Sequence, residues 1–180
     1  MGMSTIIDGS ASVTINNGAI LGITSGTAVA STSGTSIEFT SIPTWVKRIT
    51  VQFIGVSTNG TGNIRTQIGS GSFTTSGYLG SNGFFTTTAT TEAATTGFTI
   101  QNVAGAGQIL HATTTITLVD ASTYTWVATS VGAASQAAQM IFGAGSISLS
   151  GTLDRLRIIG STTGSPADTF DAGKINILYE

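Results

Sequence analysis

The sequence predicts an all-β fold, a β-sandwich or jelly roll of about eight to ten short antiparallel strands with an extended N-terminal arm. Three observations point there. Small hydroxylated residues and glycine dominate: 33 Thr, 21 Ser and 24 Gly stand in 180 residues, against 14 charged side chains. Threonine is β-branched and suits a pleated, half-buried surface, while glycine supplies tight turns. The charged helix formers Glu, Lys and Arg are scarce, and apolar residues recur with a period of two between turn signals roughly every 8 to 15 residues.

The chain divides at residue 34. Residues 1–34 hold one charge, Asp8, and no aromatic. In them Val13-Thr14-Ile15 and Ala19-Ile20-Leu21-Gly22-Ile23 flank Asn16-Asn17-Gly18, a strong hairpin signal, and residues 24–34 read as an extended linker or edge segment. So few bulky groups make no core, so this segment reads as an arm that docks on its own body, on a neighbouring copy or on a different partner. Residues 35–180 read as the sandwich domain. Ile37 and Phe39 alternate with polar neighbours, and Ile42-Pro43-Thr44-Trp45 makes a turn carrying a large aromatic. Ile49, Val51 and Phe53 face one way and Arg48, Thr50 and Gln52 the other. After Asn59-Gly60-Thr61-Gly62, residues Ile64, Thr66 and Ile68 alternate with Arg65 and Gln67, so 46–68 reads as a hairpin with an inside and an outside. Residues 69–96 are loop-like and glycine-rich, a length that is either functional or conceals short strands. Phe98 and Ile100 mark a strand, and 116–119 and 124–127 flank a four-residue loop in a second hairpin. Residues 133–138 allow one helical turn, and 146–150, 153–159 and 174–179 read as the last strands.

Size and charge narrow the function. A chain this long hides roughly 70% of its unfolded surface without a staple. It has no cysteine, which removes disulfides, thiolate catalysis and cysteine-ligated metals. A net charge of −2, with Lys47-Arg48 and Arg155-x-Arg157 as the only basic clusters, offers no electrostatic basis for nucleic-acid binding. Met1-Gly2-Met3-Ser4 begins neither a charged nor a continuous apolar segment, so neither an export signal nor membrane insertion is expected.

Catalytic constellations fail on inventory. His111 is the sole histidine and would have to serve any Ser–His–Asp triad; an ordinary strand position is the plainer reading. Asp168 and Asp171 in Asp168-Thr169-Phe170-Asp171-Ala172-Gly173 suit either calcium ligation with backbone carbonyls or capping of the turn before the last strand. Glu38, Asp120 and Asp154 lie apart with no motif, and Ala104-Gly105-Ala106-Gly107-Gln108 lacks the Lys-Ser or Lys-Thr of a phosphate loop. No catalytic, cofactor-binding or metal site is therefore expected. The candidate interaction residues are Tyr78, Phe84 and Phe85, aromatics of the glycine-rich stretch suited to sugar stacking or to a partner pocket, and Arg155 and Arg157, on one face of a strand.

The segment Ser33-Gly34-Thr35-Ser36-Ile37-Glu38-Phe39-Thr40-Ser41-Ile42-Pro43-Thr44-Trp45-Val46-Lys47-Arg48-Ile49-Thr50-Val51-Gln52-Phe53, followed by Gly55-Val56-Ser57-Thr58-Asn59-Gly60, resembles β-domains of tailed-bacteriophage virion proteins, tail-fibre-like ones included. Leu149-Ser150-Gly151-Thr152-Leu153-Asp154-Arg155-Leu156-Arg157, with Asp168-Thr169-Phe170-Asp171-Ala172-Gly173-Lys174-Ile175-Asn176-Ile177, is similar to the end of the same domain. The resemblance covers roughly residues 33–180 and carries strands and turns, not a site. It implies a non-enzymatic virion structural protein, assembled in the host cytoplasm, tail-fibre-like or part of the host-adhesion apparatus. The alternatives are a capsid decoration or head-fibre protein of the same particle and, in another class, a bacterial carbohydrate-binding module or adhesin. The expected partners are further copies in a homotrimer, another virion protein through the N-terminal arm, and a host-surface glycan.

Overall fold

The structure, a computed structural model, describes residues 22–101 and 105–180. The described residues form fourteen strands: β1 Thr24–Ser25, β2 Val29–Ala30, β3 Ser36–Thr40, β4 Arg48–Thr58, β5 Asn63–Ser70, β6 Ser72–Phe73, β7 Leu79–Phe85, β8 Ala89–Ala93, β9 Phe98–Gln101, β10 Leu110–Asp120, β11 Thr125–Ala134, β12 Gln139–Ser148, β13 Arg155–Ser161 and β14 Phe170–Tyr179. A single 3₁₀ turn, Ser135–Ala137, joins β11 to β12 where one helical turn is predicted.

All pairings are antiparallel and fall in two sheets. The large sheet runs β14-β4-β10-β11-β12-β7-β8, with β1 and β2 both on the outer edge of β14. The small sheet runs β3-β13-β5, with β6 and β9 both on the far edge of β5. Between the sheets lies one apolar cluster: Ile49, Val51, Phe53, Ile116, Trp126, Ile141, Ile175 and Ile177 come from the large sheet, and Ile37, Ile64, Ile68, Phe98, Ile100, Leu156 and Ile158 from the small one. Each such aliphatic side chain, fully withdrawn from water, contributes about 1.5–3 kcal/mol. The protein is a β-sandwich, as the alternation predicts.

Three expectations need correction. Residues 46–68 are not a hairpin. β4 pairs with β10 and β14, whereas β5 pairs with β13, β6 and β9, so Asn59-Gly60-Thr61-Gly62 carries the chain from one sheet to the other. Two alternating strands bury their apolar faces equally well side by side or face to face, and alternation alone does not separate the two. The strands number more than the eight to ten expected, because residues 69–96 conceal short strands, the second of the two readings given for them: β6, β7 and β8. Together with the two-residue strands they raise the count above ten. The jelly-roll option holds only at one end: β4 with β14 and β5 with β13 nest as a jelly roll would, but β10, β11 and β12 form a plain meander in one sheet.

Of the arm, residues 22–34 are described and lie along their own body. β1 and β2 pair with β14, the Ser31 amide donates to the Gly173 carbonyl (3.0 Å), and the Phe170 amide donates to the Gly34 carbonyl (2.9 Å). The hairpin predicted around Asn17-Gly18 falls outside the described residues.

Midway along the β4–β14 ladder the register shifts, and two glycines with positive φ meet there, Gly55 (+67°) and Gly173 (+89°). A Cβ at Gly173 would strike the Gly55 carbonyl. Gly173→Ala is therefore expected to destabilise the fold by about 1–3 kcal/mol from the backbone conformation alone, with the clash added. Equilibrium denaturation in urea checks it.

Candidate interaction surfaces

The five candidate residues part company. Tyr78 is core: it is 1% exposed, its ring meets Phe98 edge-on at 5.0 Å, and its hydroxyl accepts from the Ile68 amide (2.9 Å) and donates to the Thr74 carbonyl (3.1 Å). Burial pushes its phenol pKa above the ordinary value. The hydroxyl holds a turn instead of offering a contact surface, because a buried polar atom has to be matched locally. Phe84, on β7, is half-buried against the core. Phe85, its neighbour, points outward, is half exposed, and stacks on Phe142 with centroids 5.2 Å apart.

Arg155 and Arg157 do share the outer face of the small sheet, opposite buried Leu156 and Ile158. They are not free there. The Arg155 guanidinium donates to the Asp154 carboxylate at 2.8 and 3.0 Å, which lowers the pKa of Asp154 and raises that of Arg155. Arg157 donates to Gln67 Oε1 (2.8 Å) and lies over the Phe73 ring at 4.5 Å, while burial lowers its pKa. Gly69 makes this possible: a Cβ there would strike the Ser72 backbone, so its absence lets β6 fold over and deliver Phe73 to both arginines.

Beside them Arg65 and Gln67, expected on an exposed face, are roofed by two loops. Arg65 donates to Thr96 Oγ1 and to the Ser161 carbonyl (2.7 Å); Gln67 donates to the Thr96 carbonyl (2.6 Å) and the Gly164 carbonyl (2.8 Å). Burial lowers the pKa of Arg65, and the Glu92 carboxylate opposes that shift. The outer face of the small sheet is thus a polar layer crossed by charge.

Away from Arg48 on β4 and Lys174 on β14, the outer face of the large sheet is its opposite. Val127 and Val131 on β11, Met140 and Phe142 on β12, Leu79 and Phe85 on β7 and Ile54 on β4 all stand exposed on it. Hydroxyl rows separate them, with Thr113 and Thr115 on β10 and Thr129 on β11. His111 sits on this face too, exposed on β10, where it borders a shallow depression with Ile54, Val131 and Met140. A second depression lies beside it, bordered by Ala28, Gln52, Thr113, Lys174 and Asn176.

Four further carboxylates are held by hydrogen bonds within the fold. Asp168 accepts from the Gly62 amide (2.6 Å) and fills space that a Cβ at Gly60 or Gly62 would need, locking the crossover between sheets. Asp171 accepts from Ser57 Oγ. Asp120 accepts from the Ser122 hydroxyl and amide and from the Thr123 hydroxyl in the β10–β11 turn, and these bonds lower its pKa. Glu38 on β3 stands across from Arg157, and the Ser36 hydroxyl donates to it (2.8 Å). Among the described residues no three His, Asp or Glu gather where a metal ion would sit.

Sequence reading missed the outward Val131, Met140 and Phe142. The signal was present: β11 and β12 are apolar at both parities, which marks strands with something to bury on each side. No protein family, curated protein or solved structure matches the chain.

Two outcomes are expected. Tyr78→Phe strands the Ile68 amide and costs about 1–3 kcal/mol in denaturant unfolding. The raised phenol pKa stabilises the fold fully below pH 10, its ordinary value, and that contribution is lost as pH climbs toward the higher folded-state value, so alkaline unfolding should coincide with late tyrosine ionisation read at 295 nm. Calcium should leave the melting temperature unchanged, because the Asp168 and Asp171 carboxylates are already engaged by Gly62 and Ser57. A rise in Tm that a chelator reverses would count against that assignment.

Proposed function

We propose that this chain is a non-enzymatic structural protein of a tailed-bacteriophage virion, tail-fibre-like or part of the host-adhesion apparatus. It works by contact, in several copies, with three as the expected number. One observation carries the reading: β7, β10, β11 and β12 leave a broad outer face decorated with aliphatic and aromatic side chains and free of charge apart from Asp120 at its tip, while Asp120, Asp168 and Asp171 are held by hydrogen bonds in the β10–β11 turn and near the crossover between sheets. Large exposed apolar patches mark interaction surfaces. The likeness of residues 33–60 and 149–177 to virion β-domains supports the choice of particle. Attachment to another virion protein is assigned to the N-terminal arm, of which residues 1–21 lie outside the described residues. The Arg155, Arg157 and Phe73 cluster on the small sheet is the surface left toward the host, where an aromatic ring flanked by guanidinium groups suits the apolar face and hydroxyls of a glycan.

Mass spectrometry of purified particles from the host that carries this gene tests the proposal. The expected result is the chain at a fixed stoichiometry to the major virion proteins, and a particle image with the sandwich traced in it. Its absence from intact particles would sink the reading.

A further inference from the structure

Outward charge on the large sheet gathers on its β4–β14 side, where Arg48 and Lys174 stand exposed. The small sheet carries Glu38 on β3, Arg65 on β5, and Arg155 and Arg157 on β13. On the large sheet, β7, β11 and β12 carry no charged residue at all, and β10 carries only Asp120, its last residue, at the hairpin tip. The outward positions of these four strands are instead apolar or hydroxylated: Leu79, Ser81 and Phe85; Thr113, Thr115 and Thr117; Val127, Thr129 and Val131; Met140, Phe142 and Ala144. Val131 is 58% exposed, Met140 55%, Phe85 50% and Phe142 42%. A sheet face open to water ordinarily alternates to polar and charged residues.

The aromatic pair on this face is already ordered. Phe142 lies over Gly83 on the neighbouring strand, where a Cβ would come within 3.0 Å of its ring, and it stacks on Phe85. Such side chains lose little further freedom when covered.

We infer that the outer face of the large sheet is covered by another copy of this chain. Two arguments select a copy over a foreign partner. The first is electrostatic. Partner choice and docking register between different proteins draw on complementary charge, and the part of this face formed by β10, β11, β12 and β7 has none to read apart from Asp120 at its tip, the outward charges Arg48 and Lys174 lying to one side on β4 and β14; an uncharged patch meets a copy of its own chain without like-charge repulsion. The second is area. With strands about 4.8 Å apart and outward rows about 6.8 Å apart, the face spanned by these four strands and four rows presents roughly 520 Å². Two such contributions bury roughly 1,000 Å², the size a specific interface has to reach. The arrangement also turns the charged small-sheet face, with Arg155 and Arg157, outward. This inference deepens the self-association in the proposed function by naming its surface.

The test is the solution mass of the purified full chain by light scattering after size exclusion. Wild type is expected at the mass of two or more copies of the 18.1 kDa chain. Val131→Lys with Phe142→Lys is expected to fall to a single chain while retaining its β circular dichroism and cooperative melting. Thr40→Glu, on the outer face of the small sheet beside Arg155, is expected to keep the wild-type mass. Thr129→Arg, at an exposed hydroxyl between the apolar rows, makes the same test if the double variant does not fold. Wild type at one chain's mass, or a folded face variant that keeps the multiple, overturns the inference. Finding the chain in particles while the face variants still assemble would reject this surface and leave the virion reading standing; dissociation of the variants with the chain absent from particles would support the surface and reject the particle.

Discussion

The pairing of β4 with β14 is the constraint on which the rest of the molecule depends. It places Ile49 opposite Tyr179 and Phe53 opposite Ile175, joining the beginning of the body to its end. Every other part of the architecture refers to that ladder. β10 grows the large sheet from the other side of β4, and β1 and β2 dock on the other side of β14. Past the Gly62 crossover the same two chain segments meet again as β5 and β13, now in the small sheet, with Ile68 opposite Leu156. A two-stranded ribbon therefore passes through both layers, and Asp168 fastens it where it bends by holding the Gly62 amide. Contacts so distant in sequence require closure of nearly the whole chain before they stabilise anything, so this topology belongs among slowly folding ones.

Strand identity was legible in the sequence, and partnership was not. Ile49, Val51 and Phe53 announced both a strand and its buried face, and so did Lys174-Ile175-Asn176-Ile177. The β10–β11 hairpin was legible because its turn residues are local: Asp120 reaches Ser122 and Thr123 within the same four residues. The error at 46–68 has the opposite origin. Asn59-Gly60-Thr61-Gly62 looks like a hairpin turn, but what decides its course is Asp168, more than a hundred residues later, and the claims of β10 and β14 on both edges of β4. β7 and β8 were hidden for a third reason. Their outward positions carry small residues such as Ser81 and Gly83 and their inward ones Gly80 and Asn82, so the hydrophobic alternation that identifies a strand is muted.

The candidate site residues divide along the same line. Arg155 and Arg157 were placed on the correct face because parity within one strand is a local property. Tyr78 was misplaced because an aromatic among glycines has no partner in its own segment to betray its burial; Ile68 and Phe98 supply that from other strands. Glycine-rich context argues for backbone closeness at least as strongly as for exposure. At Gly69 and Gly83 the missing Cβ makes room for the Ser72 backbone and for the Phe142 ring respectively.

The edges of the sandwich bear on how copies meet. An open sheet with long free edges recruits further strands and grows without limit. Here the β14 edge is occupied by two strands of only two residues each, with residues 26–28 interrupting the ladder between them, and the β3 edge carries Glu38. Those edges discourage strand addition, whereas the large-sheet face over β7, β11 and β12, uncharged and partly apolar, invites contact across its plane. Face contact of that kind saturates once the face is covered, which favours a closed assembly of few copies over an open fibre. The distribution of charge then has a physical meaning: β7, β11 and β12 carry none, and the surface they form is the one that need not remain wet.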